Sequence, residues 1–110
     1  MRISAALERG AVFDRRRYLR HAVQIGGGLS ANIRPALRIL VTDLSVGGCG
    51  IELDVELEIG GRVWLKLPGL ESLPARVAWA DDRRAGLAFD NPLHPAVVEH
   101  VIHGATGGDA

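Results

Sequence analysis

The chain has one cysteine, one lysine, one tyrosine and two tryptophans in 110 residues. A single cysteine, Cys49, excludes an internal disulfide and fits a reducing compartment, so a cytoplasmic location is expected. Aromatic residues make up 5%, so the core has to be built from Val, Leu, Ile and Ala. No apolar run is long enough to cross a bilayer, and membrane insertion is not expected. Residues 1–10 lack the apolar centre of a signal peptide. No acid/base pair, metal set or activated nucleophile stands out, which argues against an enzyme. For His94, His100 and His103 no carboxylate or thiol completes a usual metal set, and they read as solvent-facing, so neither a cofactor nor a metal is expected. Trp64 and Trp79 read as core or helix-facing residues.

What is abundant is arginine. Twelve of the thirteen basic residues are Arg. Net charge is zero, yet residues 1–42 carry eight Arg against two acids, and residues 43–110 carry eleven acids against five basic residues. Such a division suggests a local anion site rather than a broad nucleic-acid surface. The acidic second half and the scarcity of aromatics speak against a nucleic-acid polymer as partner.

The length fits one domain. Residues 1–13 read as a flexible lead-in, 14–104 as the domain and 105–110 as a flexible tail. From Ala36 onward apolar residues recur with period two: Leu37, Ile39, Val41; Ile51, Leu53; Val63, Leu65, Leu67; Val77, Trp79; Leu87, Phe89. That alternation predicts half-buried strands. Gly47-Gly48, Gly60-Gly61, Pro68-Gly69 and Asp81-Asp82 mark the turns between them. The pattern predicts a mainly β chain, an antiparallel barrel or sandwich. Gly26 to Pro35, opening on three glycines, reads as a loop or loosely paired hairpin end. One helix is predicted near the C-terminus, started by His94-Pro95, with Val97, Val98, Val101 and Ile102 on one face and Gly104 as its end.

Two segments carry chemistry. The first is Asp14-Arg15-Arg16-Arg17-Tyr18-Leu19-Arg20. Guanidinium forks at Arg16 and Arg20 suit phosphate oxygens and the O6/N7 edge of guanine. The second is Asp43-Leu44-Ser45-Val46-Gly47-Gly48. An aspartate there can accept from guanine N1–H and N2–H, Ser45 supplies a hydroxyl, and the two glycines permit positive φ and close backbone approach. Alone, the first also reads as a solvated basic stretch, and the second as an Asx-type turn between strands. Taken together they suit one anionic, guanine-bearing ligand.

The chain resembles the PilZ domain family, receptors for cyclic di-GMP. Arg16-Arg17-Tyr18-Leu19-Arg20 matches the family's Arg-x-x-x-Arg motif, and Asp43 to Gly48 matches Asp/Asn-x-Ser-x-x-Gly. The likeness continues through Gly50-Ile51-Glu52-Leu53, Ala75-Arg76-Val77-Ala78-Trp79 and Gly86-Leu87-Ala88-Phe89. It implies a six-stranded antiparallel β-barrel with a C-terminal helix. It also implies that Arg16, Arg20, Asp43 and Ser45 hold cyclic di-GMP while Gly48 permits the turn. Arg15, directly before the first motif, implies a stacked ligand dimer. The function so implied is that of a receptor whose ligand-ordered arginine segment alters a surface read by an unidentified partner protein. The alternative is a PilZ-like adaptor that binds no nucleotide.

Overall fold

In the computed structural model, the described residues are 19–31 and 34–107. The lead-in at 1–13, together with Arg15, Arg16 and Tyr18, lies outside them. Six strands and one helix follow in order: β1 His21–Ala31, β2 Arg34–Leu44, β3 Gly48–Glu52, β4 Arg62–Lys66, β5 Leu73–Ala80, β6 Arg84–Phe89 and α1 Pro95–Gly107. The strands close into an antiparallel barrel in the order β1-β2-β3-β6-β5-β4. The expected six-stranded barrel with a C-terminal helix is what the chain forms.

Period-two alternation fills the interior. Ile25, Leu29, Ile39, Val41, Ile51, Val63, Leu65, Ala75, Val77, Ala85 and Leu87 are all buried inside the barrel. Each fully buried Leu, Ile or Val contributes roughly 1.5–3 kcal/mol of transfer free energy. Val98 and Val101 of α1 join this core, as the helical spacing predicts. The helix starts where expected: the His94 ring nitrogen Nδ1 accepts from the Ala96 N–H at 3.0 Å.

The structure corrects two sequence readings. Gly26 to Ala31 is not a loop but the second half of β1, paired with β2 and, at Gly28 to Ser30, with β4. The glycines mark a tight seam rather than a break: a Cβ on Gly27 would meet the Lys66 carbonyl oxygen at 2.7 Å. The helix also runs past Gly104 to Gly107. Gly104 does not take the left-handed conformation that would end it.

The β5–β6 hairpin turns on Asp81, whose carboxylate accepts from the Arg83 N–H at 3.0 Å and the Arg84 N–H at 2.8 Å. Those two backbone bonds, chiefly, hold its pKa below the ordinary carboxylate value. A lowered folded-state pKa means that the charged form stabilises the fold; the gain is present above the unfolded pKa and is lost as pH falls through the folded one. Asp81→Ala should therefore lower the thermal midpoint at neutral pH. The gap between variant and parent should close on acidification, in thermal melts run as a pH series.

Candidate functional site

Asp43 and Trp79 face outward because the strands that carry them break their alternation. On β2, Val41 pairs with Ile51 but Asp43 pairs with Gly50, so one extra residue sits between them. Without that bulge Asp43 would point inward with Val41; with it, Leu44 takes the interior place at 0% exposure and Asp43 turns out. On β5, Val77 pairs with Leu87 and Trp79 with Gly86, again one residue extra. Val77 stays buried, while Trp79 is 46% exposed. The reading of Trp79 as a core or helix-facing residue is thus corrected.

Between these two side chains lies a floor with almost no side chains. Gly50 of β3 pairs with Gly86 of β6, and Gly48 with Ala88. A Cβ on Gly50 would strike the Asp43 carboxylate, and one on Gly86 would strike the Trp79 indole. Both larger groups therefore lie across glycine positions. Gly48 is constrained by backbone: its Cβ would run into the Leu87 carbonyl oxygen of the neighbouring strand. Neither Gly47 nor Gly48 has positive φ; of the two roles expected of these glycines, the close backbone approach is the one found, at Gly48, where β3 meets β6.

The loop from Ser45 to Gly47 is held by its own polar groups. Ser45 is buried at 5% exposure. Its hydroxyl donates to the Gly48 carbonyl and accepts from the Gly47 N–H, each at 3.3 Å. Its own N–H donates to the same Gly48 carbonyl at 2.9 Å. The Val46 and Gly47 carbonyls accept from Leu93 and Phe89 at 2.8 and 2.9 Å, tying the corner to the end of β6 and the approach to α1. Beneath it, burial pushes the Cys49 thiol up to about 12, with the Asp43 carboxylate adding to the rise and Arg20 opposing it. That thiol is a packing group and not a nucleophile.

Arg20 reaches this corner from the N-terminal side. Its guanidinium donates to the Asp43 carboxylate across a sequence separation of 23 residues. The two side chains are 59% and 32% exposed. An ion pair this open contributes about 0–1 kcal/mol and exchanges readily for another partner. A cavity of about 400 Å³ opens beside the pair. Arg20, Ser45, Gly48, Trp79, Gly86 and Ala88 are among its lining residues, and Asp43 adjoins it through its contact with Arg20. Of the sequence-derived site residues, Arg20, Asp43, Ser45 and Gly48 meet here, and Arg15 and Arg16 lie outside the described residues. Among the described residues, no group of three His, Cys, Asp or Glu could hold a metal ion.

The close approach at Gly48 gives a direct test. Gly48→Ala should cost about 1–3 kcal/mol, because a backbone carbonyl has to shift. Gly47→Ala, where a Cβ meets nothing within 4 Å, should stay within about 0.5 kcal/mol of the parent. Urea denaturation of the two variants side by side measures the difference.

The PilZ domain family model matches residues 14–105. No curated protein matches the chain. Among solved structures, the PilZ domain of CeSA from a cellulose-synthesizing bacterium has 23% identity and a TM-score of 0.55, covering 84% of this chain and 99% of that one. YcgR from Escherichia coli, in complex with c-di-GMP, has 23% identity and a TM-score of 0.59, over 86% of this chain and 46% of the other. The isolated PilZ domain of YcgR with c-di-GMP has 19% identity and a TM-score of 0.58, over 87% of this chain and 95% of that domain. At these identities the likeness is one of fold. Joined to a family match over most of its length, it establishes that the chain belongs to the PilZ domain family.

Proposed function

We propose that this protein is a cytoplasmic receptor for cyclic di-GMP that controls a partner protein and performs no catalytic step. The observation that carries the reading is the meeting of Arg20 and Asp43 at the mouth of an open, glycine-floored cavity walled by Trp79. It gains weight from the family of the chain and from the ligand that both YcgR structures hold.

Each residue then has a task. Arg16 and Arg20 take phosphate or the O6/N7 edge of guanine through their forks. Asp43, released from Arg20, accepts from guanine N1–H and N2–H, a pattern adenine does not offer. Ser45 fixes the turn and brings its hydroxyl to the cavity edge. Gly48 lets β3 approach β6 closely, and Gly86 makes room for the Trp79 indole to lie over the sheet. The indole of Trp79 offers a π face on which a purine can stack. Arg15 would serve a second, stacked ligand molecule.

Binding would order the arginine segment over the barrel. A partner protein with different affinity for the ordered and unordered segment would then be favoured or disfavoured. Among the described residues no helix is long and apolar enough to cross a membrane. The reading accordingly calls for no membrane insertion.

Isothermal titration with cyclic di-GMP, with GTP as control, tests the proposal. Heat should appear with the dinucleotide and not with GTP. Arg16→Ala or Arg20→Ala should abolish it while the fold persists. Trp79→Ala should weaken binding by about 1–3 kcal/mol, the range for one stacked base. Unchanged affinity in both arginine variants would overturn the mechanism. Absence of heat from the parent protein would leave the PilZ-fold adaptor.

A further inference from the structure

β2 is longer than its neighbour. Its residues Leu40 to Leu44 pair with β3, which ends at Glu52, but residues 34–39 pair only with β1. Among the described residues, no other strand pairs with that stretch of β2, and no loop backbone hydrogen-bonds to it. The chain leaves β3 at Leu53, whose N–H goes to the Arg83 carbonyl at 3.0 Å, and then departs. The line that β3 would have followed past Glu52 is left vacant by the protein's own strands. A groove of about 580 Å³ occupies that place, lined by Arg38, Ile39, Leu53, Asp54, Arg83 and Arg84 with Leu40 and Glu52 at its inner end.

We propose that this groove docks an extended acidic segment of a partner protein, added as a strand to the free edge of β2. A free strand edge presents backbone N–H and C=O groups that a second strand can satisfy. A strand placed there would run between β2 and the β5–β6 turn. Its outward side chains would stand between Arg38 on one side and Arg83 and Arg84 on the other. All three arginines are exposed, and their guanidinium groups make no ion pair or hydrogen bond among the described residues. Its inward side chains would meet Ile39 and Leu53, both apolar and buried. The edge therefore selects alternation: a carboxylate facing out, an aliphatic residue facing in. Glu52 stands opposite Arg84 in the β3–β6 register, without an ion pair between them among the described residues. The chain's own arginine segment is excluded by like charge, since Arg15, Arg16 and Arg17 would face three further arginines.

This site shares no residue with the nucleotide cavity and does not depend on it. The test uses the full chain without nucleotide and two blocked heptapeptides, one alternating Val and Glu, the other Val and Lys. The Glu peptide should bind saturably in amide NMR titrations. Shifts should be confined to 36–40, 52–54 and 83–84, and hydrogen exchange at 36–39 should slow. The Lys peptide should give no saturable change. Arg83→Gln combined with Arg84→Gln should weaken the Glu peptide at least tenfold, while the amide spectrum remains that of the folded barrel. Arg38→Glu offers a second variant on the opposite wall. Equal response to both peptides, or shifts without protection at 36–39, would overturn the proposal. So would sedimentation showing a dimer whose 36–39 amides are already protected, because a second copy would then own the edge.

Discussion

In an uninterrupted strand Asp43 would share the inward face of Val41, and Trp79 that of Val77. A carboxylate and a tryptophan would then compete for a core already filled by Leu44, Ile51, Val77 and Leu87. Burying an unpaired carboxylate costs several kcal/mol, so the inward arrangement is not available to this sequence. One extra residue on each strand removes the conflict. Leu44 takes the interior place on β2, while Asp43 and Trp79 move to the same outer surface. The candidate site depends on these two reversals, which bring its acid and its aromatic to one face.

The glycines complete what the bulges begin. Side chains turned outward from neighbouring strands would ordinarily crowd one another. Here Gly50 and Gly86 face each other across β3 and β6, leaving room for the Asp43 carboxylate and the Trp79 indole to lie flat. The result contrasts a fixed part with a loose one. The Ser45–Gly48 corner is held by three backbone hydrogen bonds and two from the Ser45 hydroxyl, to itself, to the end of β6 and to the approach to α1. The Arg20–Asp43 pair above it is open to water and weak. A receptor needs that asymmetry: a preformed acceptor, and a cation whose existing bond is easily exchanged.

Most of the architecture could be read from period-two alternation, because a barrel of short strands writes its inside and outside directly into the sequence. Ile39, Val41, Val63, Leu65, Val77 and Leu87 all fell inward as their spacing required. Gly26 to Gly28 misled because three glycines usually break a strand, whereas here they admit β4 at close range. Gly104 misled because a helix that is already packed can pass through a glycine at a cost of about 1 kcal/mol. Arg20, Asp43, Ser45 and Gly48 were singled out by the family resemblance, and their convergence is a matter of register. Trp79 was not legible. Its alternation with Val77 points inward, and only the pairing of Trp79 with Gly86 reveals the bulge. The nearest sequence signal was Gly86 itself, a residue without a side chain opposite one that needs space.

A closed barrel limits how a bound ligand could be felt elsewhere. Its interior is filled by residues at or near zero exposure, such as Val41, Leu44, Leu65 and Ala75, and close-packed cores do not deform smoothly. A dinucleotide beside Arg20 and Trp79 would therefore leave β3 and β6 in place. The same two strands reach the groove at Glu52 and Arg84, which would keep its shape with or without ligand. On this reading the two ends of the sheet divide the work. The free edge of β2 would hold a partner at all times, raising its local concentration, and the arginine segment would change the surface that the partner meets. Each contact can then be individually weak, since a second contact made within one complex gains from effective concentration rather than from new area.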